Sequence, residues 1–307
     1  MEERCLTLRD GKKLFYRVWG VPSPAATIHI NHGMAEHSLR YGRFAAFLNS
    51  LGYAVYAQDH RGHGNTADDG LYGYFADKDG WRMICDDSYE LDQKIAEEHT
   101  DIPHLIFGHS MGSFVTRTNI ALHSEAYAAA VICGTGGPQG IAGRIGRRIA
   151  LFHAKRKGTK TEDPVLDRLA FGSYNRNFKG EGKFAWLSSD QAEVAEYEKD
   201  PLCGFLCTTM FYADLIEGSF TANDKRLASG IRNDLPMLLI SGSMDPVGGN
   251  GKGVRKCYEM YKKAGISDVR LILIDKGRHE ILNDVMRDEV MNDIASFYGE
   301  VLDGKRR

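Results

Sequence analysis

Residues 104–123 read HLIFGHSMGSFVTRTNIALH, and this stretch decides the fold. Its first four residues form a short apolar run typical of a buried strand, and residues 114–123 have helical spacing. Between them lies Gly108-His109-Ser110-Met111-Gly112, which matches the pattern G-x-S-x-G. Such a turn from strand to helix exposes the serine oxygen, because the glycines let the neighbouring elements approach closely. We therefore predict that Ser110 is a nucleophile.

The rest of the chain alternates between strand and helix patterns. Helical spacing recurs at 41–50, 81–99 and 283–302, and apolar strand runs occur at 26–31, 54–58, 129–133, 236–241 and 269–275. This alternation predicts an α/β fold with a mostly parallel sheet and flanking helices. Two further runs, at 5–8 and 14–19, flank Asp10-Gly11 and predict an antiparallel hairpin at the start of the chain.

The alternation is interrupted between residues 136 and 229, where helical stretches occur without a clear strand. We predict that this segment is an inserted helical cap, called the cap segment below. It would divide the core into a first part, 1–135, and a second part, 230–307. A cap of this kind covers the carboxyl edge of the sheet, where open α/β sheets bind their ligands.

A serine nucleophile needs a base, and the base needs a third group that orients it. Asp245 and His279 each follow a predicted strand, so they come to the same sheet edge as Ser110 in the chain order serine, acid, histidine. Rival acids are Asp275, close to its strand, and Asp284, which is predicted to begin the last helix. We predict the triad Ser110, Asp245 and His279.

An oxyanion formed during acyl transfer requires backbone N–H donors. We expect these donors at Met111, directly after the nucleophile, and at Met34, in the loop after the strand 26–31. Gly33 would leave room for the substrate, and Glu36 and His37 would brace this loop. A chemical role for His109 as the base is disfavoured, because adjacent side chains at such a turn point in different directions.

Composition sets limits on the function. The chain has 307 residues, 43% of them hydrophobic and 26% charged, with a net charge of −2 that gives no reason to expect a nucleic-acid partner. Six scattered cysteines and an amino terminus without an apolar core predict reduced thiols in a cytoplasmic protein. We expect no cofactor and no metal; Cys203 and Cys207 lack further ligands at suitable spacing.

Five ordered motifs carry a family resemblance: NHGMAEHS at 31–38, QDHRGHG at 58–64, GHSMG at 108–112, GSMDPVG at 242–248 and GRHEILND at 277–284. Together they resemble the monoacylglycerol lipase and lysophospholipase branch of the α/β-hydrolases, including its bacterial members similar to serine aminopeptidases. The resemblance implies the α/β-hydrolase fold, the Ser110–Asp245–His279 triad, backbone donors at Met34 and Met111, and a cap over an acyl-binding pocket. For Asp59–Gly64 it implies a structural loop.

The cap segment is the candidate for substrate recognition. Phe205, Met210 and Phe211 fall on one helical face, where they either pack the cap onto the core or line an acyl channel. Together with Gly33 and His109 we take them as candidate substrate-binding residues. The segment 144–160 carries seven basic and no acidic residues. Its Arg144, Arg147 and Arg148 either contact an anionic membrane surface or form a solvated face.

Three functions follow from these observations. The first is hydrolysis of carboxylic esters, of monoacylglycerol, lysophospholipid or small acyl ester type, through an acyl-enzyme. The second is an aminopeptidase that uses the same triad, with carboxylates holding the substrate's ammonium group; the acidic candidates in the cap segment are Glu193, Glu196, Glu198 and Asp200. The third is a ligand-binding scaffold without catalysis. The oligomeric state stays open.

Overall fold

The computed structural model describes residues 1–305, the last of them by its backbone alone. Residues 306 and 307, which end the predicted second core part, lie outside this description. Eight strands form one sheet in the order β1-β2-β4-β3-β5-β6-β7-β8. They are β1 Glu2–Thr7, β2 Lys13–Trp19, β3 Ala26–Asn31, β4 Tyr53–Gln58, β5 His104–His109, β6 Ala129–Cys133, β7 Met237–Gly242 and β8 Val269–Ile274. Strand β2 pairs antiparallel with β1 and β4, and the remaining pairs are parallel. The predicted sheet and hairpin are thus confirmed.

Helices cover both faces of this sheet. They are α1 Gly42–Ser50, α2 Gly80–Glu98, α3 Met111–Leu122, α4 Gly140–Lys157, α5 Pro164–Phe171, α6 Gln191–Lys199, α7 Thr209–Ala222, α8 Lys225–Ala228, α9 Lys252–Lys263 and α10 Arg287–Lys305. In β4, Val55 packs with α1 and α10 on one face, while its neighbour Ala54 packs against α2 on the other. Because both faces are covered, the central strands are apolar throughout.

The last helix begins later than the pattern predicts. It starts at Arg287, four residues after the predicted Asn283, and a short 3₁₀ turn, Ile281–Asn283, precedes it. Asp284 therefore does not begin the helix. Its carboxylate is fully buried and accepts the backbone N–H of Arg278 and of Ser189. These bonds fix an extended backbone at Asp284, which delays the helix.

Five helices, α4 to α8, lie between β6 and β7, so the chain leaves the sheet after Cys133 and returns at Met237. Helix α7 carries the main contact with the core: Phe211 and Ala213 pack in one cluster with Trp81 of α2 and Phe114 of α3. Helix α7 approaches α2 closely at Gly218, where a Cβ would lie 2.4 Å from the Trp81 ring. Helix α7 is thus fitted against α2.

One buried acid lies in this contact. Asp214 of α7 is 6% exposed and faces the amino end of α2, where a Cβ on Gly80 would lie 2.2 Å from its Oδ2. Burial raises the pKa of Asp214 to about 7, against the lowering effect of Arg147 and with smaller raising effects of Glu217 and Asp79. The charged form of Asp214 therefore costs stability in the folded protein.

This arrangement predicts a pH dependence of stability. The pKa of Asp214 is higher in the folded protein than in the unfolded chain. The contribution of Asp214 to the free energy of unfolding is therefore fully present below about pH 4 and is lost as the pH rises towards 7. Asp214→Asn should raise Tm at pH 8 and leave it nearly unchanged at pH 4, measured by calorimetry. Glu198→Gln, which removes the same charge from an exposed site of α6, is the control and should change Tm little at either pH. A lower Tm of Asp214→Asn at pH 8 would contradict this account.

Candidate active site

The turn at Ser110 has a backbone that only the flanking glycines permit. Ser110 has φ 53° and ψ −119°, a left-handed value that is strained for a residue with a side chain. A Cβ on Gly112 would lie 2.1 Å from the carbonyl oxygen of Asn31, and one on Gly108 would lie 2.4 Å from the carbonyl oxygen of Gly112. The turn is thus packed against the end of β3, and it holds Ser110 at the carboxyl edge of the sheet.

The predicted acid and base meet at this edge. Nδ1 of His279 lies 3.0 Å from Oδ1 of Asp245, a contact close enough for an ion pair although its N–H direction departs from an ideal hydrogen bond. Asp245 is fully buried, and it accepts the backbone N–H of Val247 and the hydroxyl of Ser241. Ser110 and His279 line one cavity.

The surroundings set the protonation of the two histidines at the site. For His279, burial is the largest single effect and lowers the pKa, but the charge and contact of Asp245 together with the charges of Glu280 and Glu36 outweigh it, so the pKa lies above the ordinary value. For His109, whose ring lies 4.7 Å from that of His279, burial and then the proximity of His279 hold the pKa well below the ordinary value. His109 is therefore neutral and lines the cavity as predicted.

The sequence has one other histidine beyond residue 123, His153. It lies in α4 and contacts Asp163 at 2.7 Å within the cap segment. Of the rival acids, Asp275 is exposed at the surface, and Asp284 is bonded to backbone groups. Among the predicted partners of Ser110, the structure brings Asp245 and His279 together.

The two predicted N–H donors also border the cavity. Met34 and Met111 both line it, and no backbone hydrogen bond within residues 1–305 uses the N–H of either. Met111 is the first residue of α3, so its N–H lies at the positive end of the helix dipole. The loop of Met34 is held from the cap segment, since Gly204 N–H and the Tyr197 hydroxyl both donate to the carbonyl of Ala35.

A buried charge cluster joins this loop to the loop of His279. Glu36 accepts the N–H of Gly33 at 2.6 Å and the hydroxyl of Tyr41 at 2.9 Å through Oε1, and pairs with Arg40 through Oε2. Arg40 also forms two bonds, of 2.7 and 2.6 Å, with the carboxylate of Glu280, next to His279. Although burial opposes ionisation, Arg40 lowers the pKa of Glu280 to about 2. Glu36 braces the loop as predicted; the sequence alone gave no sign of Arg40 and Glu280.

The cavity has a volume of about 670 Å³. Three of the candidate substrate-binding residues, Gly33, His109 and Phe205, line it. Met210 and Phe211 are not among its lining residues, so the cavity gives no support to a substrate contact for them. Phe211 is fully buried against Phe75 in the contact between cap segment and core. The predicted common helical face does not form, because α7 begins at Thr209 and Phe205 lies before it.

The chain belongs to the family described as "Serine aminopeptidase, S33" (Hydrolase_4), which matches residues 22–286. It is similar to a monoacylglycerol lipase of Mycolicibacterium smegmatis, 26% identical over 94% of this chain and 93% of the relative. Human monoglyceride lipase is 25% identical to it over 93% of this chain and 85% of the human protein. The fold matches the crystal structure of a thermostable carboxyl esterase from Bacillus coagulans with a TM-score of 0.91 and 27% identity, covering 98% of both chains. The predicted α/β-hydrolase fold and branch are confirmed.

In this family member, a part of the cap segment is tied directly to the loop of His279. The backbone N–H groups of His279 and Glu280 donate to the carbonyls of Trp186 and Leu187. Arg278 donates to the carbonyl of Ala185 at 2.6 Å. The Trp186 ring lies 5.0 Å from that of His279. Residues 185–187 therefore position the imidazole from the side of the cap segment. The sequence offered no signal for this contact.

The loop Asp59–Gly64 is structural in its contacts. Asp59 accepts the backbone N–H and hydroxyl of Ser38, and Arg61 forms two bonds with Asp87. The backbone N–H of His60 donates to His32. These bonds connect the loop to its neighbours, as the resemblance implies.

Two groups of side chains within residues 1–305 have the donor types of a metal site: His29, Asp92 and His104, and His37, Asp200 and Cys203. In the first, both rings are hydrogen bonded at both nitrogens, to Asp92, Gln58 and Thr27. In the second, His37 bonds Asp200 at 2.8 Å, and burial raises the pKa of the Cys203 thiol, which disfavours the thiolate that binds metals. Neither group borders the cavity, and we assign a metal to neither.

The contact between Asp245 and His279 predicts how activity depends on pH. A base must be neutral to accept a proton, so kcat/KM for an ester should fall as the pH drops through the raised pKa of His279. In Asp245→Asn the fall of kcat/KM at acid pH, the acid limb of the profile, should move to lower pH. The value of kcat should be about 10⁴-fold lower. Asp275→Asn, the same change at an exposed rival acid, should resemble the wild type. An unmoved limb in Asp245→Asn, or an equal loss in Asp275→Asn, would contradict the assignment.

Proposed function

We propose that this carboxylic ester hydrolase works through an acyl-enzyme on Ser110, with Asp245 and His279 completing its triad. Ser110 attacks the ester carbonyl as His279 takes its proton, and the N–H groups of Met34 and Met111 stabilise the oxyanion. His279 then protonates the leaving alcohol, and it activates the water that hydrolyses the acyl-enzyme. The single observation that carries this proposal is the strained Ser110 turn in one cavity with His279, which contacts buried Asp245.

The cavity favours an acyl substrate. Its lining includes aliphatic side chains of the cap segment, among them Leu206, Leu215 and Ile216. We infer a substrate of the monoacylglycerol, lysophospholipid or small acyl ester class, in line with the named activities of the relatives. The proposal includes the division into a core, 1–135 and 230–307, and a cap segment, 136–229. All six cysteines are free thiols, which supports a cytoplasmic location.

The aminopeptidase alternative needs a carboxylate at the catalytic cavity. The acidic residues predicted for that role lie elsewhere: Glu193, Glu196 and Asp200 line a separate depression of about 460 Å³ together with Arg40, and Glu198 lines neither this depression nor the cavity. The four predicted acids therefore do not supply that carboxylate, and the ester hydrolase is favoured by the named activities of the relatives. Parallel assays with p-nitrophenyl acyl esters and aminoacyl-p-nitroanilides separate the two, and turnover of any ester excludes a scaffold that only binds.

A fluorophosphonate probe tests the nucleophile. The native protein should be labelled at one site, because the probe reacts with a serine activated by a base. Ser110→Ala should not be labelled, while Ser113→Ala, in the first turn of α3, should be. Circular dichroism confirms that each variant is folded. A folded native protein that resists the probe, or a labelled Ser110→Ala, would overturn the mechanism.

The proposal extends to a membrane contact of the cap segment. Ile141, Ile145 and Phe152 of α4 are 71%, 53% and 56% exposed on one face, and Leu169 of α5 is 65% exposed. Arg144 and Arg148 are exposed on the same helix, whereas Arg147 pairs with Glu217 at 2.9 Å. Of the three predicted arginines, two therefore remain available to anionic headgroups.

This surface predicts binding to anionic vesicles. The protein should co-sediment with phosphatidylglycerol vesicles more than with phosphatidylcholine vesicles, and Ile145→Ser with Phe152→Ser should lower the bound fraction severalfold. The control is Leu122→Ser, an exposed leucine at the end of α3, which should bind as the native protein does. Equal binding of all variants would contradict the proposed surface.

A further inference from the structure

One wall of the catalytic cavity is a chain of aromatic rings that begins at His279. The ring of Trp186 lies 5.0 Å from that of His279, and Tyr174 lies 5.0 Å from Trp186. Phe171 follows at 5.5 Å from Tyr174, and Tyr212 at 6.5 Å from Phe171. All of these residues line the cavity, so the wall leads from the base to helices α5 and α7 of the cap segment.

A carboxylate lies at the far end of this wall. The hydroxyl of Tyr212 donates to Oδ1 of Asp167 at 3.3 Å, and Asp167 is a lining residue that is partly exposed. Tyr212 is itself buried. The side chain of Asp167 is therefore oriented by a fixed phenol and borders the space that a substrate would occupy.

Asp167 differs from the other carboxylates of the cavity. Glu36 and Glu280 also line it, but Arg40 pairs with both. No ion pair among the described residues involves Asp167, whereas nearby Asp163 pairs with both His153 and Lys157. The one lysine that lines the cavity, Lys183, is exposed, and its ammonium lies 4.6 Å from the centre of the Phe184 ring. Asp167 is thus a carboxylate without a cation of its own.

A carboxylate without an ion pair, beside several aromatic rings, has the chemistry that binds an organic cation. Aromatic rings attract ammonium groups through their electron-rich faces, and quaternary ammonium ions are recognised in this way. The wall begins at His279, which protonates the leaving alcohol in the proposed mechanism. A group that lies along the wall therefore belongs to the alcohol half of the ester.

We propose that the cavity selects esters whose alcohol carries a quaternary or primary ammonium group, held by Asp167 and the rings of Phe171, Tyr174 and Tyr212. This inference rests on the proposed function. It deepens that function by naming a group in the alcohol half of the substrate.

The test uses matched ester pairs. Butyrates of ω-(trimethylammonio)alkanols with spacers of increasing length are compared with the neutral butyrates in which a tert-butyl group replaces the trimethylammonium. At the best spacer the native protein should prefer the cationic ester by about 5- to 30-fold in kcat/KM. In Asp167→Asn the ratio of cationic to neutral ester should fall close to one. Glu198→Gln removes an equal charge from an exposed site of the cap segment and should keep the native ratio.

The outcomes are distinct. Hydrolysis of both esters at a ratio near one in the native protein, or an unchanged ratio in Asp167→Asn, would overturn the inference and leave the hydrolase standing. A preference for an ammonium group in the acyl half would also overturn it and would favour the aminopeptidase. If no ester is hydrolysed, the proposed function fails. In that case, binding of the decyltrimethylammonium ion to Ser110→Ala, measured by calorimetry, tests the inference alone. The double variant Ser110→Ala, Asp167→Asn should bind this ion more weakly. Equal binding by the two variants would contradict the inference.

Discussion

The close approach of the Ser110 turn to the end of β3 is the constraint on which the rest of the site depends. The carbonyl of Asn31 occupies the space where any residue but glycine would place a Cβ at position 112. Held this tightly, Ser110 keeps a left-handed backbone that the chain would not otherwise adopt. The same packing places the first N–H of α3 beside the loop after β3, so the nucleophile and both proposed oxyanion donors are positioned by one contact.

The other half of the site is attached to this contact by charge. Arg40 bonds Glu36 in the oxyanion loop and Glu280 beside His279. Because both carboxylates are buried, removing the arginine would leave them without their cation, at a cost of about 3–5 kcal/mol. The cap segment adds a third attachment through Trp186 and Leu187, whose carbonyls accept the N–H groups of His279 and Glu280. His279, the proposed base, is thus held both from the core and from the cap segment.

The sequence was sufficient for the parts of the molecule that local patterns determine. Buried strands are continuous apolar runs, and residues that follow parallel strands meet at one edge, which is why Asp245 and His279 were predicted as partners of Ser110 before their distance was known. Contacts that depend on how separate elements pack were not predictable. Phe205 and Phe211 fit one helical pattern in the sequence, yet α7 begins only at Thr209, so Phe205 lines the cavity from the preceding loop while Phe211 is core. Asp167 likewise is an ordinary acid in the first turn of a helix, and its unpaired state appears only when its neighbours are known.

Trapping the acyl-enzyme tests most directly whether Ser110, held in its strained turn, is the residue that carries the acyl group. The native protein is mixed rapidly with p-nitrophenyl acetate, quenched in acid during the first turnover, digested and analysed by mass spectrometry. The account predicts a burst of nitrophenol matched by one acetyl group on Ser110. Turnover without an adduct, or an acetyl group on His109 or on a cysteine in place of Ser110, would contradict it.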